Sequence, residues 1–166
     1  MFLAAAVQLN CRSDEEANWV QASTLIERAA SYGAQLVATP ENTNYLGPHT
    51  EKVRKAEPLD GPTVSRFREL AARLGIHLLL GSVNEKSDEP TRCYNTSVLV
   101  GPSGDLLSFY RKMHLFDVDV SPEVSFVEAR FVKPGEEPVV AESALGPLGL
   151  SVCYDLRFPE YYRALT

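Results

Sequence analysis

Cysteine, histidine and basic runs are scarce in this chain, and each scarcity removes a class of function. Three cysteines occur in 166 residues, Cys11, Cys93 and Cys153, far apart and odd in number, with no CxxC spacing. With three histidines beside them, neither a zinc site nor a disulfide framework is expected, and a reducing cytoplasm is the simplest setting. No lysine and arginine run is present and the net charge is −6, which disfavours nucleic acid and anionic membrane as partners. No apolar stretch approaches the length of a membrane span, and residues 1–9 lack the basic lead and the length of a signal core. There is no internal repeat, low-complexity tract or linker, so residues 1–166 read as one domain. Apolar residues at 45% and charged residues at 23% are close to globular averages and sufficient for a real core.

What is present reads as alternating strands and helices. Residues 2–9 form an apolar run expected to be a buried strand. Ser13 and Glu16 have the spacing of a capping box, and the helix they would start carries Trp19, Ala22, Ile26, Ala29 and Ala30 on one face, with Gly33 placed to end it. Residues 35–39 are a second short strand, stopped by Pro40, which leaves Glu41 just past its end. Residues 43–58 read as a loop with a helical turn. Gly61-Pro62 opens a helix with the stripe Val64, Phe67, Ala71 and Leu74, closed by Gly75. Residues 76–83, 93–100 and 106–111 are strand-like, with a polar turn over 84–92 and a tight turn at Gly101-Pro102-Ser103-Gly104-Asp105. Strand–helix–strand followed by hairpins implies a mixed sheet and an α/β (α+β) fold. Residues 113–138 show no sustained period and are longer than most connections, as in a functional loop or lid. Residues 139–142 and 148–152 are further strands, and Pro159 opens a last helix.

Cys153 is expected at the end of that last strand, near a helix N-terminus that would favour the thiolate. Glu41 and Lys112 also fall just past strand ends, where ligands of such sheets gather. A thiol nucleophile, a carboxylate base and an ammonium facing an oxyanion together suit acyl transfer. Read singly, each has an ordinary alternative: a core cysteine, a solvated turn glutamate, an edge lysine. Asp155 is ambiguous, Arg157 and Glu160 are expected to fix the turn after Cys153 by charge-assisted hydrogen bonds, and Tyr45, His49 and Tyr94 are candidates to border a pocket.

Three segments carry a resemblance: Leu36-Val37-Ala38-Thr39-Pro40-Glu41-Asn42, Tyr110-Arg111-Lys112-Met113-His114-Leu115-Phe116-Asp117, and Leu150-Ser151-Val152-Cys153-Tyr154-Asp155-Leu156-Arg157-Phe158-Pro159-Glu160. In order and spacing they resemble the signature segments of the nitrilase (carbon–nitrogen hydrolase) superfamily. Glu57-Pro58-Leu59-Asp60-Gly61-Pro62 and the run from His114 to Val120 point to its Nit branch, which includes amidases acting on deaminated glutathione and omega-amides. The resemblance implies an αββα sandwich and a catalytic triad of Glu41 as general base, Lys112 as stabiliser of the tetrahedral intermediate and Cys153 as nucleophile. It implies supporting roles for the Tyr154 backbone N–H and for Glu128, although Ala129 stands where the Nit pattern has serine. His114 becomes a neighbour of Lys112 rather than a dyad partner of Cys153.

The resemblance further implies a small amide substrate, a thioester intermediate, no metal or organic cofactor, and assembly as a homodimer or higher homo-oligomer. A nitrilase or carbamoylase would use the same three residues. Family members continue well past the nucleophile, whereas this chain stops at Thr166, so the sandwich is expected to be incomplete. An inert binding or assembly module is the alternative from another class.

Overall fold

The computed structural model describes residues 1–121 and 124–166. Its centre is a five-stranded sheet, β1 (Ala4–Ala6), β2 (Leu36–Ala38), β3 (His77–Lys86), β4 (Cys93–Val100) and β5 (Leu106–Arg111), lying side by side in that order. β1, β2 and β3 are parallel, joined through α1 (Glu15–Ser31) and then through α2 (His49–Arg54) and α3 (Pro62–Leu74). β3, β4 and β5 are antiparallel hairpin neighbours. The expected mixed sheet is therefore present.

Period-two alternation buries both faces of the sheet. Val37, Leu78, Leu80, Val98 and Val100 meet Ala22 and Ile26 of α1 and Val64, Phe67, Leu70 and Ala71 of α3. Leu36, Leu79, Leu99 and Tyr110 point the other way, onto Ala141, Leu150, Val152 and Tyr161. That second face is covered by the short pair β8 (Val140–Ala141) and β9 (Leu148–Gly149), and by α4 (Pro159–Leu165). Helix layer, main sheet and a second small ladder are the successive layers of the expected sandwich.

Several boundaries differ from the sequence reading. The N-cap of α1 is Asp14, whose Oδ1 accepts the Ala17 N–H at 3.0 Å, and not Ser13. Glu16 is drawn instead to a two-pronged bond with Arg66 of α3. β1 is shorter and less buried than expected, because it is the edge of the sheet among the described residues and leaves Phe2 and Leu3 exposed. β3 runs on through Asn84, Glu85 and Lys86, which pair with Asn95, Tyr94 and Cys93. The presumed loop after residue 113 contains a hairpin, β6 (Asp117–Ser121) with β7 (Val124–Val127), and a 3₁₀ turn at Glu128–Arg130. The last strand shrinks to Leu148–Gly149, with Leu150 N–H still bonded to the Val139 carbonyl.

One glycine sets the site. At Gly81 of β3 an added Cβ would lie 2.1 Å from the Thr39 carbonyl oxygen. Its absence lets the end of β2 approach β3 closely, immediately before Glu41.

Candidate active site

Glu41 follows Pro40, where β2 stops, and its loop is tied down on both sides. Asn42, at φ +56°, donates its N–H to Ser82 Oγ at 2.9 Å. Thr43 donates its N–H to the Ser82 carbonyl and its hydroxyl to the Pro40 carbonyl, and its Oγ1 accepts from the Thr39 hydroxyl. Lys112 follows β5 directly. Its backbone N–H bonds the Asn95 carbonyl and its own carbonyl accepts from Gly135, each at 2.9 Å. Glu128 opens the 3₁₀ turn after β7, where its carbonyl receives the N–H groups of Phe131 and Val132.

These three side chains form one network, buried at Lys112 and Glu128 and half-buried at Glu41. The Lys112 ammonium, 2% exposed, donates to Glu41 Oε1 at 3.1 Å and to Glu128 Oε2 at 3.0 Å. Glu41 Oε1 also receives Asn95 Nδ2 at 2.7 Å, and Glu128 Oε2 receives the Phe116 N–H at 2.7 Å. Asn95 is fully buried in mid-strand and was missed in the sequence reading. An asparagine within a strand, where that residue type is depleted, is the available signal.

Cys153 is exposed and begins a 3₁₀ turn (Cys153–Arg157) with φ +48°, a left-handed conformation uncommon for a residue with a side chain. Such positions recur where a side chain must be presented at a fixed angle. The Tyr154 N–H next to it has no backbone partner among the described residues. Phe116 and Phe158 pack edge-on against the Tyr154 ring, with centroids 5.0 Å and 5.5 Å away.

The electrostatics run against the thiolate expected at rest. Although the residue as a whole is exposed, partial desolvation of its thiol by the surrounding site, and then the charge of Glu41, push Cys153 up from its ordinary value, with Lys112 opposing. Burial alone would raise Glu41, but the Lys112 charge and the hydrogen bonds from Lys112 and Asn95 outweigh it and hold the carboxyl below its ordinary value. Burial alone would lower Lys112, and its two carboxylate partners reverse that and raise it. At neutral pH the site therefore holds a thiol facing a carboxylate that an ammonium anchors. The helix that was to favour the thiolate, α4, starts only at Pro159, beyond the turn.

Asp155 orders the turn that begins at Cys153. It is fully buried, and its Oδ2 accepts the Val152 N–H and the Tyr110 hydroxyl, both at 2.8 Å. Its Oδ1 accepts the His114 N–H at 3.1 Å and lies 2.7 Å from His114 Nδ1. One carboxylate thus fastens the Cys153 turn to the end of β5, next to Lys112. His114 is held by Asp155 and stacked on Phe158 at 3.8 Å, as a packing neighbour. Arg157 and Glu160 do not fix the turn as expected. Arg157 is exposed without a partner among the described residues, and Glu160 lies 3.7 Å from Arg163 within α4.

Of the pocket candidates, Tyr45 is buried in the core and Tyr94 sits under the Arg111 guanidinium at 4.0 Å. His49 alone lies near Glu128, whose charge acts on it. Asp155→Asn should remove the second charged acceptor oxygen, lowering stability by about 2–3 kcal/mol and turnover by at least about tenfold as Cys153 loses its fixed approach. Thermal denaturation and steady-state kinetics check this, and unchanged values in both would remove Asp155 from the positioning role.

This fold and this cluster together match a known family. Residues 3–166 match the carbon-nitrogen hydrolase family, and the chain belongs to it. Within it, the chain is 39% identical over 168 residues to the deaminated glutathione amidase of Synechocystis sp., covering 99% of this chain and 62% of that protein. The crystal structure of the C. elegans NitFhit protein superimposes with a TM-score of 0.88 at 32% identity, covering 96% of this chain and 40% of that one. A mutant amidase from Nesterenkonia sp. AN1, showing the result of Michael addition of acrylamide at its active site cysteine, gives a TM-score of 0.82 at 29% identity. It covers 99% of this chain and 62% of that one. The chain spans about three fifths of the length of the amidase relative it matches at 39% identity. Among the described residues, no helix is long and apolar enough to cross a membrane.

Proposed function

We propose that the protein hydrolyses the amide of a small carboxylate-bearing compound through a cysteine thioester, with deaminated glutathione or an alpha-ketoacid amide as the type of substrate. The observation that carries this reading is the Lys112 ammonium bound to both Glu41 and Glu128 beside an exposed Cys153. The depressed pKa of Glu41 and the raised pKa of Cys153 support a base and a nucleophile that start in the correct protonation states.

In the proposed cycle Glu41 takes the thiol proton as Cys153 sulfur attacks the amide carbon. The oxyanion is met by the Lys112 ammonium and the Tyr154 N–H. Glu41 passes the proton to the amide nitrogen, the carbon–nitrogen bond breaks and ammonia leaves a thioester. Glu41 then takes a proton from water, hydroxide adds to the thioester, and the thiol leaves reprotonated with the free acid. Glu128 holds Lys112 in place throughout. The cycle draws its nucleophile, base and cation from the chain and needs no metal or organic cofactor.

The same reading carries a cytoplasmic setting, which the free thiols of Cys11, Cys93 and Cys153 suit, and homo-oligomeric assembly as expected from the family resemblance. Intact-mass analysis of the protein treated with acrylamide tests the site. One adduct is expected, mapping to Cys153 rather than to Cys11 or Cys93, and substrate amide should protect against it. Equal labelling of all three thiols, or none, would overturn the reading. Ammonia release from matched amide, nitrile and carbamoyl substrates separates amidase from nitrilase and carbamoylase.

A further inference from the structure

α2 buries two polar groups that the proposed cycle does not use. Lys52 is 6% exposed, and among the described residues it makes no hydrogen bond or ion pair. Its stem is enclosed while the ammonium nitrogen keeps an opening to solvent, and a cation so far withdrawn from water is ordinarily supplied with a carboxylate. One turn earlier on the same face, His49 keeps its Nδ1 buried with no partner among the described residues. Its ring is stacked on Phe131 at 4.9 Å and tilted against Phe126 at 5.3 Å.

Both groups lie beside the reaction site. Cys93 and Asn95 are two residues apart on β4 and so share a sheet face, and Asn95 is the residue that donates to Glu41. The charges that act on Lys52 are those of Glu128, Glu41 and Lys112. His49 in turn feels Lys52 and Glu128.

None of these neighbours is the missing partner. Both oxygens of Glu128 are taken by Lys112, one of them also by the Phe116 N–H. Glu41 Oε1 is taken by Lys112 and Asn95. Burial holds the Cys93 thiol above its ordinary pKa, so it stays neutral.

We propose that Lys52 and His49 form a clasp for the substrate's carboxylate, which makes them the residues that select carboxylate-bearing amides. This rests on the amidase reading for its substrate but not for its anion. An arriving carboxylate would accept from the Lys52 ammonium and, in the tautomer protonated there, from His49 Nδ1. A neutral amide would leave the buried cation unpaired, which is the situation in which sites discriminate most strongly.

The test uses the intact protein and two readouts. The first is calorimetric binding of glutarate, a dicarboxylate without an amide, to the Cys153→Ala protein with and without Lys52→Met. The second is the ratio of kcat/KM for glutaramate to that for butyramide. Lys52→Met is expected to weaken glutarate binding and to lower the ratio, each by at least about 30-fold, while Lys52→Arg recovers part of both. Unchanged glutarate binding overturns the clasp. So does an equal fall in kcat/KM for both amides, which would place Lys52 with the reacting groups. If the protein hydrolyses neither amide but binds glutarate through Lys52, the amidase reading falls and the clasp stands. Melting temperature controls for folding: removing a cation without a protein partner should not lower it, and a loss of fold in Lys52→Met with full glutarate binding in Lys52→Arg still supports a cation-dependent site.

Discussion

Lys112→Met is expected to cost the protein about 3–5 kcal/mol of stability even though it removes a buried charge. Turnover should fall by about 10³-fold or more. The stability loss follows from what the ammonium holds together: Glu41 Oε1 at 3.1 Å and Glu128 Oε2 at 3.0 Å, with Glu128 only 9% exposed. Without the cation two carboxylates face one another in a low-dielectric pocket, and methionine offers neither a hydrogen bond. The pH dependence has a definite sign. In the native protein Glu41 sits below its ordinary pKa, chiefly because Lys112 overcomes the effect of burial. Its contribution to stability is therefore full above the ordinary carboxylate value and lost as pH falls through the depressed one. In Lys112→Met burial acts unopposed by the cation, so the destabilisation should be largest near neutral pH and shrink as the carboxyls protonate. Chemical denaturation at several pH values reads this directly. The double variant Lys112→Met/Glu128→Gln should regain much of the stability and none of the turnover. Equal stability of the single variant and the native protein across pH would show that the network is not held by Lys112.

The parts of this molecule that could be read from its sequence are those specified locally. β4 and β5 fall where their apolar runs and the Gly101–Asp105 turn put them, and α3 runs from Pro62 to a left-handed Gly75. Glu41 and Lys112 are legible because their signature segments are short and contiguous, and Glu128 only through a looser match, and the structure brings the three side chains together. What escaped depends on partners distant in the chain. Asn84 and Glu85 look like turn residues until the loop at Asn44 and Tyr45, and the side chains of Thr96 and Arg111, supply their hydrogen bonds. Asp155 was ambiguous because three of its four contacts, with Tyr110 and His114, span more than forty residues. The protonation of Cys153 is hidden from the sequence for a related reason. The strand end and α4 are visible in sequence, whereas the burial and the facing Glu41 that dominate the thiol are products of tertiary packing.

A resting thiol raised by Glu41 leads to a result opposite in direction to ordinary cysteine activation. Glu41→Gln is expected to make Cys153 more acidic and at the same time to lower turnover by about 10³–10⁴-fold. Burial and Glu41 both raise the thiol's pKa, and Lys112 alone among the strong influences lowers it. Neutralising Glu41 removes one raising cause and frees the Lys112 ammonium from one of its two carboxylates, so the thiolate is favoured on both counts. Ultraviolet titration of the thiolate, taken as the difference from Cys153→Ala, should show an apparent pKa below the native one. Were the resting thiolate the source of reactivity, as in thiol enzymes that pair cysteine with a cation, such a variant would acylate at least as fast as the native protein. In a site where Glu41 must accept the thiol proton, return it to the leaving nitrogen and then activate water, every proton transfer in both half-reactions loses its acceptor. Pre-steady-state trapping of the thioester should accordingly show slow acylation despite the larger thiolate fraction. A Glu41→Gln protein that acylates at the native rate would remove Glu41 as the base. One whose thiol pKa rises would show that burial, rather than the opposed charges of Glu41 and Lys112, governs the Cys153 thiol.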